Sequence, residues 1–230
     1  MAALGHLCAD PANAAPFAEA GAVPALLKQQ KSKSCERDHD MQEMATFALA
    51  GLASLVATHS LMINDGAIPR VIKLLKSDHV GVRDAAVCFL SRFPEQAREM
   101  VSAGVVEPMA ACLGESNPGR TRVLALRTLD TLASSCDVAP NFLKCGVVRR
   151  VLDIVNSGQT ADSDLLTAAL SMLIVVTTRH PECRPVVEKA RIGRRLVEIL
   201  TAASTPDLFE GALRTLGNVS NFPSNTVSIG

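Results

Sequence analysis

The chain repeats itself, and any fold it adopts has to accommodate that. AEAGAVPALLKQQ, beginning at Ala18, returns as NDGAIPRVIKLLKS from Asn64, SAGVVEPMAACLGE from Ser102 and KCGVVRRVLDIVNS from Lys144. A weaker fifth copy, KARIGRRLVEILTA from Lys189, has Arg191 where the others have glycine. With Gly21, Gly66, Gly104, Gly146, Arg191 and Gly230 as markers, the steps are 45, 38, 42, 45 and 39 residues. A period near 42 is that of two- or three-helix solenoid repeats. Counted from each marker, positions +2, +5, +6 and +9 are apolar except at Gln30 and Gly193, which paints one stripe on a short helix. The marker glycine suits a helix-to-helix corner with positive φ, and Pro24 and Pro69 sit in the first turn of the next helix.

Four residues before the markers stand Phe17, Met62, Met100, Phe142 and Val187, each the anchor of a preceding short helix. A longer helix closes each unit on an L-x-x-L core: Leu49/Leu52, Leu90/Phe93, Leu129/Leu132, Leu170/Leu173 and Leu216/Val219, with Leu4/Leu7 as an N-terminal remnant. Ala45, Ala86, Ala125, Leu166 and Ala212, four positions earlier, let neighbouring helices approach. No unit buries its apolar faces alone, so the expectation is one continuous all-α array. Its parts are the end of a preceding repeat at 1–9, repeats at 10–58, 59–94, 95–135, 136–180 and 181–222, and the start of a further repeat at 223–230. Composition agrees: hydrophobic residues are 48% and aromatics only 3%, with no Trp or Tyr, a core of Leu, Val, Ala and Ile that favours helices.

The phrase EAGAVPALL, followed by a helix ending in AL-x-x-L, resembles the armadillo repeat over essentially the whole chain; HEAT repeats are the nearest competitor, and the Gly-Ala-Val/Ile-Pro corner favours armadillo. The resemblance implies a right-handed superhelical solenoid whose third helices line a concave, peptide-binding groove.

Charge and chemistry narrow the function. Lys+Arg and Asp+Glu are 23 each, without the basic excess of a nucleic-acid binder. Seven scattered cysteines with no C-x-x-C pair fit a reduced, cytoplasmic or nuclear setting. The longest uncharged apolar run, Leu165 to Val176, is too short to cross a bilayer. No phosphate loop, dinucleotide fingerprint, G-x-S-x-G elbow or H-E-x-x-H pair occurs, Cys35 and His39 lack a second ligand pair, and the acids do not converge. No cofactor, metal or catalytic group is therefore expected, and the chain reads as non-enzymatic.

The resemblance places the partner site on the third helices. There the family carries Trp-x-x-x-Asn, the amide gripping a peptide backbone by donating and accepting at once. The Asn-equivalent positions here are His6, Gly51, Arg92, Thr131, Met172 and Asn218, and the Trp-equivalent positions are Phe47, Cys88, Arg127, Ala168 and Arg214. The ladder that an importin-α-like adaptor needs for a basic segment is mostly absent. Arg92, Arg127 and Arg214 instead offer donor forks suited to carboxylates, so the groove is expected to take an acidic or amphipathic extended segment, as β-catenin-like arrays do. The competing reading is that these arginines are solvated and offset by Glu43, Asp84, Asp164 and Glu210, which also suit the helix dipoles. A second basic feature, Arg149, Arg150, Arg194 and Arg195, occupies +3 and +4 in adjacent repeats and should point outward. The reading is a protein-interaction scaffold or adaptor. Its alternatives are a substrate-docking or autoinhibitory segment of a larger enzyme such as a ubiquitin ligase, and a small-GTPase regulator or co-chaperone. Partner identity and oligomeric state stay open.

Overall fold

Gly21, Gly66, Gly104 and Gly146 adopt φ of 79, 72, 80 and 66°, and Arg191 is the one non-glycine residue with positive φ among the described residues, at 46°. The corner expected of the markers is therefore a left-handed residue that turns a short helix into the next one. In a computed structural model, residues 11–157 and 163–221 are described; Leu4, His6, Leu7, the expected elements at 1–9 and 223–230, and the marker Gly230 lie outside them. The chain divides into two compact units, Met1–Cys112 and Leu113–Gly230, with the boundary between the second and third helices of the third repeat. Among the described residues there is no strand.

In the first unit, α1 (Pro11–Glu19), α2 (Ala22–Gln30), α3 (Lys33–Arg37) and α4 (His39–Leu52) are followed by α5 (His59–Asn64), α6 (Ala67–Leu74), α7 (Val80–Leu90), α8 (Ala97–Ser102) and α9 (Val106–Ala111). The second unit holds α10 (Gly119–Ser135), α11 (Ala139–Lys144), α12 (Val147–Asn156), α13 (Ser163–Arg179), α14 (Arg184–Lys189), α15 (Gly193–Ala202) and α16 (Pro206–Ser220). The third helices are α4, α7, α10, α13 and α16. They pack side by side within each unit, α4 on α7 in the first, and α10 on α13 on α16 in the second.

The stripe behaves as its spacing requires. Ile68, Val71, Ile72, Leu75, Val106, Met109, Ala110, Leu113, Val148, Val151, Leu152 and Val155 are all buried, as are Ala45, Ala86, Ala125, Leu166 and Ala212 of the third helices. Gln30, the polar exception, is buried too, and its Nε2 donates to Thr46 Oγ1 at 3.3 Å. Val197 departs from the stripe and is 50% exposed. The charged stretch from Lys31 to Asp40 contains α3. Ser32 Oγ accepts from the Cys35 amide, Asp38 Oδ1 accepts from the Met41 amide, and Cys35 is buried beneath the turn.

Two buried histidines staple the corners after the third helices. His59 Nε2 donates to the Ala53 carbonyl at 2.8 Å, its Nδ1 lies 2.8 Å from Glu95 Oε1, and its ring tilts against Phe93. In the second unit His180 Nε2 donates to the Ala133 carbonyl at 2.8 Å.

Asp65, just before a corner glycine, ties two repeats of the first unit. Its carboxylate is 2.6 Å from Lys31 Nζ and is also bonded by Arg70, whose Nη1 reaches the Asp65 carbonyl at 2.8 Å. Burial pushes the Asp65 carboxyl up, but the hydrogen bonds and charges of Lys31 and Arg70 outweigh it and hold the group below the ordinary carboxylate value. A depressed carboxylate stabilises the fold above its unfolded pKa of 3.8, and that contribution is lost as pH falls through the lower folded value. Asp65→Asn is expected to cost about 1 kcal/mol at pH 7. Denaturant melts at stepped pH should show the deficit shrinking as wild type is acidified below about pH 4.

Arg191 supplies a second stability test. A side chain in the left-handed region costs about 1–2 kcal/mol, of which glycine's larger unfolded-state entropy returns about 0.5–1. Arg191→Gly is thus expected to stabilise the chain by about 0.5 kcal/mol in urea denaturation.

Candidate partner-binding face of the third helices

The rows counted from each L-x-x-L pair assume that every third helix is rotated alike. In the first unit, Phe47 and Gly51 of α4 are half-buried, Arg92 is exposed in the turn after α7, and Cys88 is buried. Cys88, expected to face a partner, is thus a core residue of α7.

In the second unit, Arg127 of α10 is exposed and Thr131 is half-buried, its hydroxyl donating to the Arg127 carbonyl at 3.0 Å. Met172 is fully buried, which removes it from the surface where the sequence places it. Helix α13 lies between two other third helices and is apolar over most of its circumference, so its open stripe runs through Thr167, Ser171, Ile174 and Thr178, one residue off the counted row. The polar residues at 167, 171 and 178 are the sequence signal that could have found this rotation. Arg214 of α16 is exposed with Nη1 3.4 Å from Glu210 Oε1, one turn earlier. Asn218 is half-buried and spends its Nδ2 on Thr177 Oγ1 at 3.1 Å, leaving its carbonyl end as the part that an extended backbone could use.

Sequence reasoning missed Asp130, the residue before Thr131. Ser171 of α13 donates to its Oδ2 at 3.2 Å, while its Oδ1 is sealed without a partner. Burial raises this carboxyl above its ordinary value, and the Ser171 hydroxyl offsets only part of that. Among the described residues, Arg92 and Arg127 have no side-chain partner.

The second basic feature divides. Arg149 and Arg150 of α12 are exposed, and Arg194 of α15 is exposed with Nε 3.5 Å from Glu198. Arg195 does not point outward: its Nε donates to the Val155 carbonyl at 3.0 Å and its Nη1 to Glu198 at 3.1 Å. The six described cysteines are thiols outside any disulfide, and burial lifts those of Cys112 and Cys183 to about 11. Among the described residues, no group of three or more His, Cys, Asp or Glu could hold a metal ion, and no single helix is long and apolar enough to cross a membrane.

No family model matches the chain. It is similar to importin subunit alpha-3 of Arabidopsis thaliana, 28% identical over 209 residues, which cover 87% of this chain and 38% of that protein. It is also 30% identical over 188 residues to importin subunit alpha-1a of Oryza sativa subsp. japonica, covering 78% of this chain and 34% of the relative. The chain therefore spans little more than a third of the length of these curated relatives. Among solved structures, a designed armadillo repeat protein matches with a TM-score of 0.77 at 16% identity, covering 95% of this chain and 91% of its own. Another, in complex with the peptide (KR)4, matches with a TM-score of 0.74 at 17% identity, covering 94% and 90%. A three-helix repeat with a left-handed corner, seen in this chain and matched along nearly the whole of these designs, gives it the all-α fold of armadillo-repeat proteins.

Proposed function

We propose that the chain is a protein-interaction scaffold whose third helices, in each unit by itself, take extended sequence carrying carboxylates with apolar residues between them. The observation that carries this reading is the pair of exposed arginines without a partner among the described residues, Arg92 in the first unit and Arg127 in the second. A guanidinium presents a planar fork of donors that matches a carboxylate. Arg214 adds a third, because its pairing with Glu210 is an exposed contact of the kind that is worth little and exchanges readily. Apolar companions are at hand in each unit: Phe47 beside Arg92's helix in the first, and Phe209 and Leu213, 49% and 51% exposed, on α16 in the second.

The likeness to importin α subunits and to a design holding (KR)4 supports recognition of an extended segment on this fold. The basic preference of such a peptide complex does not carry over, since a cationic segment would meet Arg92 and Arg127 on the rows where it needs acids or aromatics. A reducing, cytoplasmic or nuclear setting belongs to this reading and is supported by the described cysteines standing outside any disulfide. The test is charge reversal, Arg92→Glu and Arg127→Glu made separately, read as affinity for an acidic extended peptide. Unchanged affinity in both variants would sink the assignment.

A further inference from the structure

The carbonyls at the end of a second helix and in the turn just after it need donors, and in three repeats an arginine supplies one. In the first unit Arg83 Nη1 donates to the Ser77 and Asp78 carbonyls at 2.7 and 3.0 Å. In the second unit Arg122 Nε donates to the Leu113 carbonyl at 3.1 Å, and Arg195 Nε to the Val155 carbonyl at 3.0 Å. These come from two places in the repeat. Arg83 and Arg122 lie three residues before the small residue of their own third helix, Ala86 and Ala125, whereas Arg195 is at +4 of the following second helix. Arg150 also occupies +4, but the carbonyl that it would cap is already taken by Arg122. It is left exposed, with no partner among the described residues.

The surplus arginine stands at a cleft of about 230 Å³. Leu113 and Ile154 form its apolar floor, Arg122 and Arg150 line it, and Glu115 and Asp153 stand on its exposed rim. Arg122 is only 8% exposed, and apart from the Nε bond to a neutral carbonyl it has no partner among the described residues. Neither rim carboxylate is within ion-pair distance of either arginine. Apart from that Nε bond the Arg122 guanidinium keeps its terminal nitrogens open to the cleft, so an anion entering it can take those donors together with a second fork from Arg150.

We propose that this cleft binds a single phosphoryl group, held between Arg122 and Arg150. A dianion matches the two guanidinium charges, whereas Glu115 and Asp153 repel a run of acidic residues, so the group is taken in a neutral or basic surrounding. The site is separate from the third-helix face and stands whether or not that face binds carboxylates.

The experiment titrates the whole chain by calorimetry with inorganic phosphate and with two phosphoserine peptides, one flanked by lysines and one by aspartates. Arg150 is the residue to change, since its side chain makes no hydrogen bond or ion pair among the described residues, whereas Arg122 variants risk the cap on Leu113. The expected result is saturable binding, tighter for the lysine-flanked peptide, weakened about tenfold by Arg150→Gln and less than about twofold by Arg149→Gln, which removes the same charge one residue away. Saturation by phosphate alone would mark free phosphate as the source, and saturation by the lysine-flanked peptide a phosphorylated segment; each supports the site when Arg150→Gln weakens it about tenfold. No saturable binding, equal losses in the two variants, or preference for the aspartate-flanked peptide would overturn the proposal.

Discussion

Replacing Met172 with alanine is expected to lower the free energy of unfolding by about 3 kcal/mol, within the range for emptying a fully buried long side chain. The counted row makes Met172 a partner contact, for which truncation would leave stability nearly unchanged and weaken binding. The structure makes it part of the packing that holds α10, α13 and α16 together, so the loss should appear in the unfolded fraction before any ligand is added. Thr178→Ala is the control on the same helix. Its hydroxyl is exposed and donates only to the Ile174 and Val175 carbonyls of its own helix, so its cost should stay within about 0.5 kcal/mol. Chemical denaturation of the two variants checks this, and a Met172→Ala protein as stable as wild type would mean that α13 is rotated by one residue from its place here.

Arg127→Glu is expected to weaken an acidic extended peptide about tenfold to a hundredfold at low ionic strength. Two unit charges about 4 Å apart interact by about 1 kcal/mol in water and about 4 kcal/mol near a protein surface, and reversal replaces attraction by repulsion of similar size. Most of the effect should vanish near 1 M salt, where the Debye length falls to about 3 Å. Arg214→Glu should cost less, because Arg214 already shares its charge with Glu210. Arg149→Glu, on α12 and away from the third helices, should leave this peptide's affinity unchanged. Anisotropy titrations of the three variants at low and high salt separate a located contact from an effect of net charge. Equal losses in all three would remove Arg127 from the site.

The fold was legible because its corners are written in one residue each. A glycine that must turn a helix through positive φ leaves the same mark in every repeat, and even the exception, Arg191, holds the turn. The apolar stripe was legible for the same reason, since +2, +5, +6 and +9 share one side of a short helix, Val197 of the fifth repeat being the position that leaves it. What the sequence hid was rotation and hydrogen bonding. Met172 and Cys88 satisfy the counting rule but lie buried, because a third helix that is apolar on nearly every side offers no preferred face until its neighbours are packed. Arg195 looked outward by its spacing and turned instead to a carbonyl 40 residues away, a partner that no pattern in the chain announces. Asp130 with Ser171 and the stapling histidines depend in the same way on which repeats become neighbours. Within the candidate site, then, Arg92, Arg127 and Arg214 were found on exposed positions, and the missing aromatic ladder was visible from Ala168 and Arg214 standing where Trp would be.

The most direct measurement is the affinity of this chain for two fluorescent peptides of equal length and apolar content, one carrying Asp and Glu and the other Lys and Arg, at low ionic strength. A third-helix face set with unpaired arginines predicts saturable binding of the acidic peptide, tighter than the basic one by at least about tenfold, with the difference narrowing as salt is added. Equal affinity for both, or a preference for the basic peptide, would contradict the account and make Arg92 and Arg127 solvated charges on a face that recognises its partner by other means.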